Sequence, residues 1–207
     1  MHIAVAGNIG SGKTTLTRLL AQHFGWQAQY ESVDDNPYLN DFYNNMNRWS
    51  FNLQIYFLNN RFNQIAKIQK ETTTIIQDRT IYEDAHIFAP NLYVMDLMSG
   101  RDYKTYQELF GCISSFIAPP DLLIYLSASD EVLQKQIKAR GRTYEEGISP
   151  EYLSALNQRY QDWIKDYKQG KLLILDVDSL DYANKPEDLI KVISLVNENL
   201  PQKNTTK

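Results

Sequence analysis

Short apolar, β-branched runs alternate along the chain with longer stretches of helical or polar spacing. The runs are Ile3–Ala6, Ala28–Tyr30, Thr73–Gln77, Leu122–Leu126 and Leu172–Val177, a pattern expected of a parallel sheet covered on both faces. Between the first two, Leu16, Leu19, Leu20 and Phe24 recur at helical spacing. Arg48–Lys70 carries Phe51, Leu53, Ile55, Tyr56, Leu58, Phe62, Ile65 and Ile68, which predicts a long amphipathic helix joining two strands. Two more helices are predicted from Ser129 to Ala139 and from Pro150 to Tyr167, the second capped by Ser149 with proline at its first position. The prediction is an open, doubly wound α/β fold of five parallel strands. Ligands of such sheets sit beyond the carboxyl ends of the strands.

The first strand runs directly into Gly7-Asn8-Ile9-Gly10-Ser11-Gly12-Lys13-Thr14-Thr15, which matches G-x-x-x-x-G-K-[ST] ahead of a helix. In that context the glycines let the backbone aim its N–H groups at phosphate oxygens. Lys13 adds a charge toward the β- and γ-phosphates, and the Thr14 hydroxyl can ligate Mg²⁺. The helix N-terminus brings partial positive charge to the same place.

Two further strand ends are polar. The second strand leads into Tyr30-Glu31-Ser32-Val33 and the third into Gln77-Asp78-Arg79-Thr80. A carboxylate beside a phosphate loop can take a proton from an attacking hydroxyl or hold a metal, and Glu31 and Asp78 can divide those tasks. Arg79 offers directed positive charge to a migrating phosphoryl group. On spacing alone, a surface acid or a structural ion pair explains each equally well. The segment Lys138–Gly147, rich in charge and glycine, suits a short mobile lid from which Arg140 and Arg142 close over phosphates, or else a solvated basic loop.

The 207 residues, 43% of them hydrophobic, suffice for one core. We read residues 1–200 as a single domain and 201–207 as a frayed tail. A net charge of −4 argues against a nucleic-acid polymer or an anionic membrane as partner. No apolar run reaches the about 18 residues of a membrane span and no signal-peptide pattern opens the chain, so a cytoplasmic location is expected. Cys112 has no partner cysteine and reads as a small buried hydrophobe. Trp49, Phe51, Phe57, Phe88 and Tyr106 are expected mostly in the core, Phe88 being the candidate to stack on a ligand.

The phosphate-loop motif, the segment Tyr30-Glu31-Ser32-Val33-Asp34-Asp35-Asn36-Pro37-Tyr38, Gln54 in Phe51–Phe57, Asp78-Arg79-Thr80-Ile81-Tyr82-Glu83-Asp84 and Arg140-Gly141-Arg142 together resemble the deoxynucleoside kinases. The order and spacing look most like the bacterial deoxyadenosine/deoxyguanosine kinase branch. Many members have Glu-Arg-Ser where this chain has Asp78-Arg79-Thr80, and Glu-Pro-Val where it has Glu31-Ser32-Val33.

The resemblance implies a P-loop kinase fold and transfer of the ATP γ-phosphate to the 5′-hydroxyl of a deoxynucleoside. It implies Glu31 as base, with Lys13 and Arg79 acting on the reacting phosphate and Thr14 and Asp78 organising Mg²⁺. The donor side comprises Gly7, Asn8, Gly10, Ser11, Gly12, Lys13, Thr14, Thr15, Arg140 and Arg142, with Asp181 and Tyr182 near its adenine. Gln54, Arg61 and Asp84 look like the base reader, while Tyr43 and Glu145 match the residues that hold the sugar. A base with an exocyclic amine suits an amide and a carboxylate, and deoxyadenosine is expected first. A homodimer is implied likewise.

Competing classes fit less well. A GTPase would need Asn-Lys-x-Asp, and Asn184-Lys185-Pro186-Glu187 fails at its last position. A thymidylate kinase-like nucleotide kinase shares the strand-end Asp-Arg, but the Glu31 base suits a neutral hydroxyl acceptor better. A non-catalytic P-loop module is disfavoured by the presence of donor, acceptor and lid residues together.

Overall fold

The computed structural model describes residues 1–31, 36–142, 145 and 147–201. Its sheet comprises β1 (His2–Gly7), β2 (Gln27–Gln29), β3 (Ile75–Asp78), β4 (Leu122–Ser127) and β5 (Lys171–Asp176) in the order β2-β3-β1-β4-β5, with every pairing parallel. Ile3, Ala4, Val5 and Ala6 of the central strand are fully buried, so side chains on both faces are covered. That is why its sequence is continuously apolar rather than alternating. At the edge, β5 alternates: Leu173 and Leu175 face inward, Ile174 and Asp176 outward.

Helix α1 (Lys13–Phe24) follows β1 through the phosphate loop and packs on β1, β2 and β3. The chain then forms α2 (Leu39–Asn44) and the long α3 (Met46–Ile68). Helix α3 starts two residues before its predicted bound because the Asn45 side chain accepts the Arg48 N–H. After β3 come a short α4 (Ile81–Glu83), a π-helical turn (Asp84–Phe88) and α5 (Ala89–Val94). Then α6 (Gly100–Ser114), α7 (Asp130–Arg140), α8 (Pro150–Lys165) and α9 (Pro186–Asn199) complete the order given with the strands. Ser129 and Ser149 cap α7 and α8 as the pattern predicts.

A second cluster of buried side chains, including Leu58, Ile65, Ile81 and Tyr106, fills the space between α3, α4 and α6. Of the expected core aromatics, Phe88 and Tyr106 are buried, whereas Trp49, Phe51 and Phe57 are only partly covered. Cys112 corrects the sequence reading: it is exposed, because it lies on the face of α6 turned away from buried Tyr106. No helix among the described residues is long and apolar enough to cross a membrane.

Candidate active site

The carboxyl ends of β1, β2 and β3 open into a cavity of about 590 Å³, a size suited to a small organic ligand. Its lining includes Gly10, Gly12, Lys13, Thr14 and Thr15 at one end, Glu31, Asp78 and Arg79 in the middle, and Tyr43, Gln54, Asp84 and Phe88 beyond them. Arg140 at the end of α7, with Arg142 and Glu145 just beyond it, borders the cavity as well. Residues far apart in sequence thus meet because three parallel strands end side by side.

The loop after β1 needs glycine for two reasons at Gly10. Its φ is +86°, and a Cβ there would stand 2.8 Å from the Leu133 carbonyl oxygen. Lys13 is buried and donates to the carbonyls of Gly7 (2.8 Å) and Asn8 (2.9 Å). Burial and the nearby Arg79 charge lower its pKa to about 8, against the opposing pull of Asp78, Glu83 and Glu31. The Thr14 hydroxyl donates to Asp78 Oδ2 at 2.5 Å, while Asp78 Oδ1 is buried without a hydrogen-bond partner.

Arg79 adopts a positive φ of 69° in a non-glycine residue, and its N–H is held by the Val5 carbonyl at 3.0 Å. Its guanidinium lies over the Phe88 ring at 4.4 Å and pairs with Glu31 at 3.5 Å. Arg61, only 2% exposed, donates to Glu31 Oε1 at 2.6 Å and to Asp84 Oδ2 at 2.9 Å. Burial alone would raise the Glu31 pKa, but the charges of Arg79, Arg61 and Lys13 overcome it and bring the carboxyl to about 2. For Asp84 burial prevails over Arg61 and Arg79, and its pKa rises to about 6. The oxygen of the Gln54 amide is buried and unpartnered at the cavity wall.

The π-helical turn explains how Asp84 and Phe88 both reach the cavity: the Ala89 N–H bonds back to the Asp84 carbonyl, one residue further than an α-helix allows. On the other side, Gln64 donates to the Tyr30 carbonyl at 3.2 Å and so fixes the backbone next to Glu31. Glu145 is gripped by Arg140 through two hydrogen bonds and by Arg142 at 3.7 Å. Thr143, Tyr144 and Glu146 of the predicted lid, Ser32–Asp35 after β2, and Gln202–Lys207 of the predicted tail lie outside the described residues.

Several predicted residues stand off the cavity. Arg61 is buried behind the lining and meets it only through Glu31 and Asp84. Asn8 is committed to the Leu153 carbonyl (3.0 Å) and the Ile9 N–H (2.8 Å). Ser11 Oγ is buried behind the loop and Gly7 lies at its base, and neither is on the lining. Tyr182 packs behind Gly12, where a Cβ would meet its hydroxyl at 2.8 Å, and Asp181 bonds Asn184 and the Asp188 side chain. Conversely, Tyr30, Leu39, Phe42, Leu53, Phe57, Gln136 and Tyr152 line the cavity unpredicted, having read as ordinary apolar or helix-face positions. Buried Glu83 was also missed. Its signal was the Thr80-x-x-Glu83 capping pattern directly after a strand.

The model of the family described as deoxynucleoside kinase matches residues 3–201. This chain belongs to the deoxynucleoside kinase family. A deoxyadenosine/deoxycytidine kinase of Bacillus subtilis is 40% identical to it over 203 residues, covering 95% of this chain and 94% of that one. A deoxyadenosine kinase of Dictyostelium discoideum is 39% identical, covering 96% and 80% respectively. Among solved structures, deoxyadenosine kinase from M. mycoides with bound dATP superposes with a TM-score of 0.85 at 29% identity, covering 95% of this chain and 99% of that one. The same enzyme with bound dCTP gives a TM-score of 0.84 at 29% identity, covering 96% and 100%. The P-loop kinase fold and the deoxynucleoside kinase activity read from the sequence both stand. The phosphate loop, the strand-end residues Glu31, Asp78 and Arg79, and Arg140, Arg142 and Glu145 of this deoxynucleoside kinase line one cleft.

Proposed function

We propose that the enzyme transfers the γ-phosphate of ATP to the 5′-hydroxyl of deoxyadenosine, with deoxyguanosine and deoxycytidine as secondary acceptors. The observation that carries this reading is the position of Glu31 on the cavity wall between the phosphate loop and Gln54, paired at once with Arg79 on the lining and with Arg61 buried behind it. A hydroxyl that accepts the phosphoryl group belongs at such a junction.

In the reaction the O5′–Pγ bond forms, the bond from Pγ to the β,γ-bridging oxygen breaks, and the 5′-hydroxyl proton passes to Glu31. A carboxylate with a pKa of about 2 is ionised at every working pH, although it is a weak base. That weakness is tolerable in a loose phosphoryl-transfer transition state, where the hydroxyl becomes acidic only late. Lys13 and Arg79 balance charge on the transferring group. Thr14 and Asp78 fit an Mg²⁺ ion, since Asp78 Oδ1 is a buried, unpartnered hard oxygen beside a hydroxyl. Bound there, the ion would offset charge on the donor phosphates.

Base preference follows from Gln54, Arg61 and Asp84. The free amide oxygen of Gln54 can accept from an exocyclic amine while its NH₂ donates to a ring nitrogen. Adenine and cytosine both offer that pair, which accords with the two nucleosides named for the Bacillus subtilis relative. Tyr43 and Glu145 border the space for the sugar, and Arg140 and Arg142 would turn from Glu145 to the phosphates as the lid closes. We also infer one domain over residues 1–200, a cytoplasmic location and a homodimer; exposed Leu109 and Phe116 on and beside α6 suit a protein contact.

Phosphorylation measured across the four deoxynucleosides and their ribo-counterparts with ATP tests the reading. Deoxyadenosine should give the highest kcat/KM, and thymidine as best substrate would overturn the assignment of the base reader.

A further inference from the structure

Glu83 is fully buried and absent from the cavity lining, yet its carboxylate gathers three hydrogen bonds from three parts of the fold. Oε1 accepts the Gly7 N–H at 3.2 Å and the Tyr160 hydroxyl at 2.8 Å, and Oε2 accepts the Thr80 N–H at 2.7 Å. Among the described residues no ion pair involves it. An ionised carboxylate buried without a paired cation is costly unless its oxygens are satisfied in this way.

The three donors have unequal meaning. Gly7 is where β1 turns into the phosphate loop. Thr80 directly follows Arg79, whose positive φ in a non-glycine residue persists only where its neighbours hold it. The Val5 carbonyl holds one N–H of that turn and Glu83 holds the next. Tyr160 stands on α8, the helix that follows the lid segment. An ordinary capping glutamate reaches only the start of its own helix. Here the second oxygen extends the device to another strand and another helix.

We propose that Glu83 is a positioning residue that locks the start of the phosphate loop to the turn carrying Arg79, with Tyr160 tying both to the helix behind the lid. The proposal rests on the reading of Lys13 and Arg79 as the residues that handle the reacting phosphate. Those side chains must be held within about 0.5 Å for transfer, whereas Gln54 and Arg61 hang from α3, and Asp84, although it follows Glu83 directly, is held by Arg61 of that helix. Loosening it should therefore reduce turnover and spare nucleoside binding. Glutamine at this position would present one accepting oxygen and an NH₂ group facing a donor.

The test measures kcat and both KM values for Glu83→Gln, Tyr160→Phe and Arg79→Ala in one assay, well below each melting temperature. Glu83→Gln should lower kcat by about 10–100-fold with the nucleoside KM within about threefold, as expected of small displacements at a reacting centre. Tyr160→Phe should lower kcat by about 3–10-fold with the same KM pattern. A wild-type kcat in Glu83→Gln, or a nucleoside KM rising in step with the loss, overturns the proposal. If Glu83→Gln does not fold, Tyr160→Phe decides, and an unchanged kcat there overturns it. Arg79→Ala separates the two readings: inactive beside a normal Glu83→Gln, it sinks only the lock, while a fully active Arg79→Ala sinks the site assignment itself.

Discussion

Arg61 Nη2 stands 2.6 Å from Glu31 Oε1, and this pair ties α3 to the end of β2 behind the cavity wall. Arg61 also carries Asp84, so its removal would leave two buried carboxylates with Arg79, and for Glu31 also Lys13, as the remaining cations. Arg61→Met should destabilise the protein by about 3–5 kcal/mol, the usual consequence of deleting one partner of a buried pair. Urea unfolding would show it, and a loss below about 1 kcal/mol would count against the bridge.

Glu31→Gln keeps shape and cannot accept the proton. Turnover should fall by about 10²–10⁴-fold while nucleoside binding persists. Isothermal titration beside steady-state kinetics checks both halves, and near-normal turnover would reject Glu31 as base.

Lys13→Ala and Arg79→Ala should each abolish most phosphoryl transfer and leave a folded protein, because both act on charge at the cavity wall. Circular dichroism melting curves are the control. An unfolded variant would instead assign its residue a structural role.

Acidification should act through Asp84. Its pKa is raised to about 6, so the protonated fraction grows as pH falls through 6 and the carboxylate that pairs with Arg61, the proposed reader of the base, is neutralised. The kcat/KM for deoxyadenosine should then fall on an acidic limb centred near that value, and Asp84→Asn should remove the limb along with most of the base preference. Glu31 titrates far below this window, at about 2. Its lowered pKa stabilises the fold in full above the ordinary carboxylate value of 4.5, and that contribution is lost as pH falls from there toward 2.

The deoxynucleoside triphosphate end product should inhibit by spanning the cleft, its base and sugar on the acceptor side and its phosphates in the glycine-rich loop. Both subsites belong to one continuous cavity. Inhibition should therefore be competitive with the nucleoside and with ATP, and competition with neither would refute the arrangement.

Strands and capped helices were legible in the sequence because their signals are local: apolar runs for β1 and β4, Ser149-Pro150 for α8. Phosphate-loop chemistry was equally plain, since motif spacing alone specifies it. The Arg61 bridge was only half visible. Two turns of helix align Gln54 and Arg61, but nothing local shows that Glu31 closes on the same guanidinium after β2. Glu83 was less visible still, as two of its three partners lie more than 70 residues away. Cys112 misled because cysteine is usually buried, whereas exposure here follows from which face α6 turns to α3. Helix α6 was not read from the sequence although Tyr103, Tyr106, Phe110 and Ile113 recur at helical spacing and pack on the second cluster, while six-residue α5 is too short for a periodic signal.

The strand order has a consequence for how the enzyme comes into being during translation. β1 leaves the ribosome first, yet its neighbours are β3, paired from Ile75, and β4, paired from Leu122. The nascent chain must therefore carry an apolar strand and a glycine loop with one flank open until β4 has been made, a long-range closure that slows folding and invites misassociation. ATP affinity should appear late and abruptly along a series of stalled chains, once β4 has emerged, which makes nucleotide capture a natural reporter of completed folding.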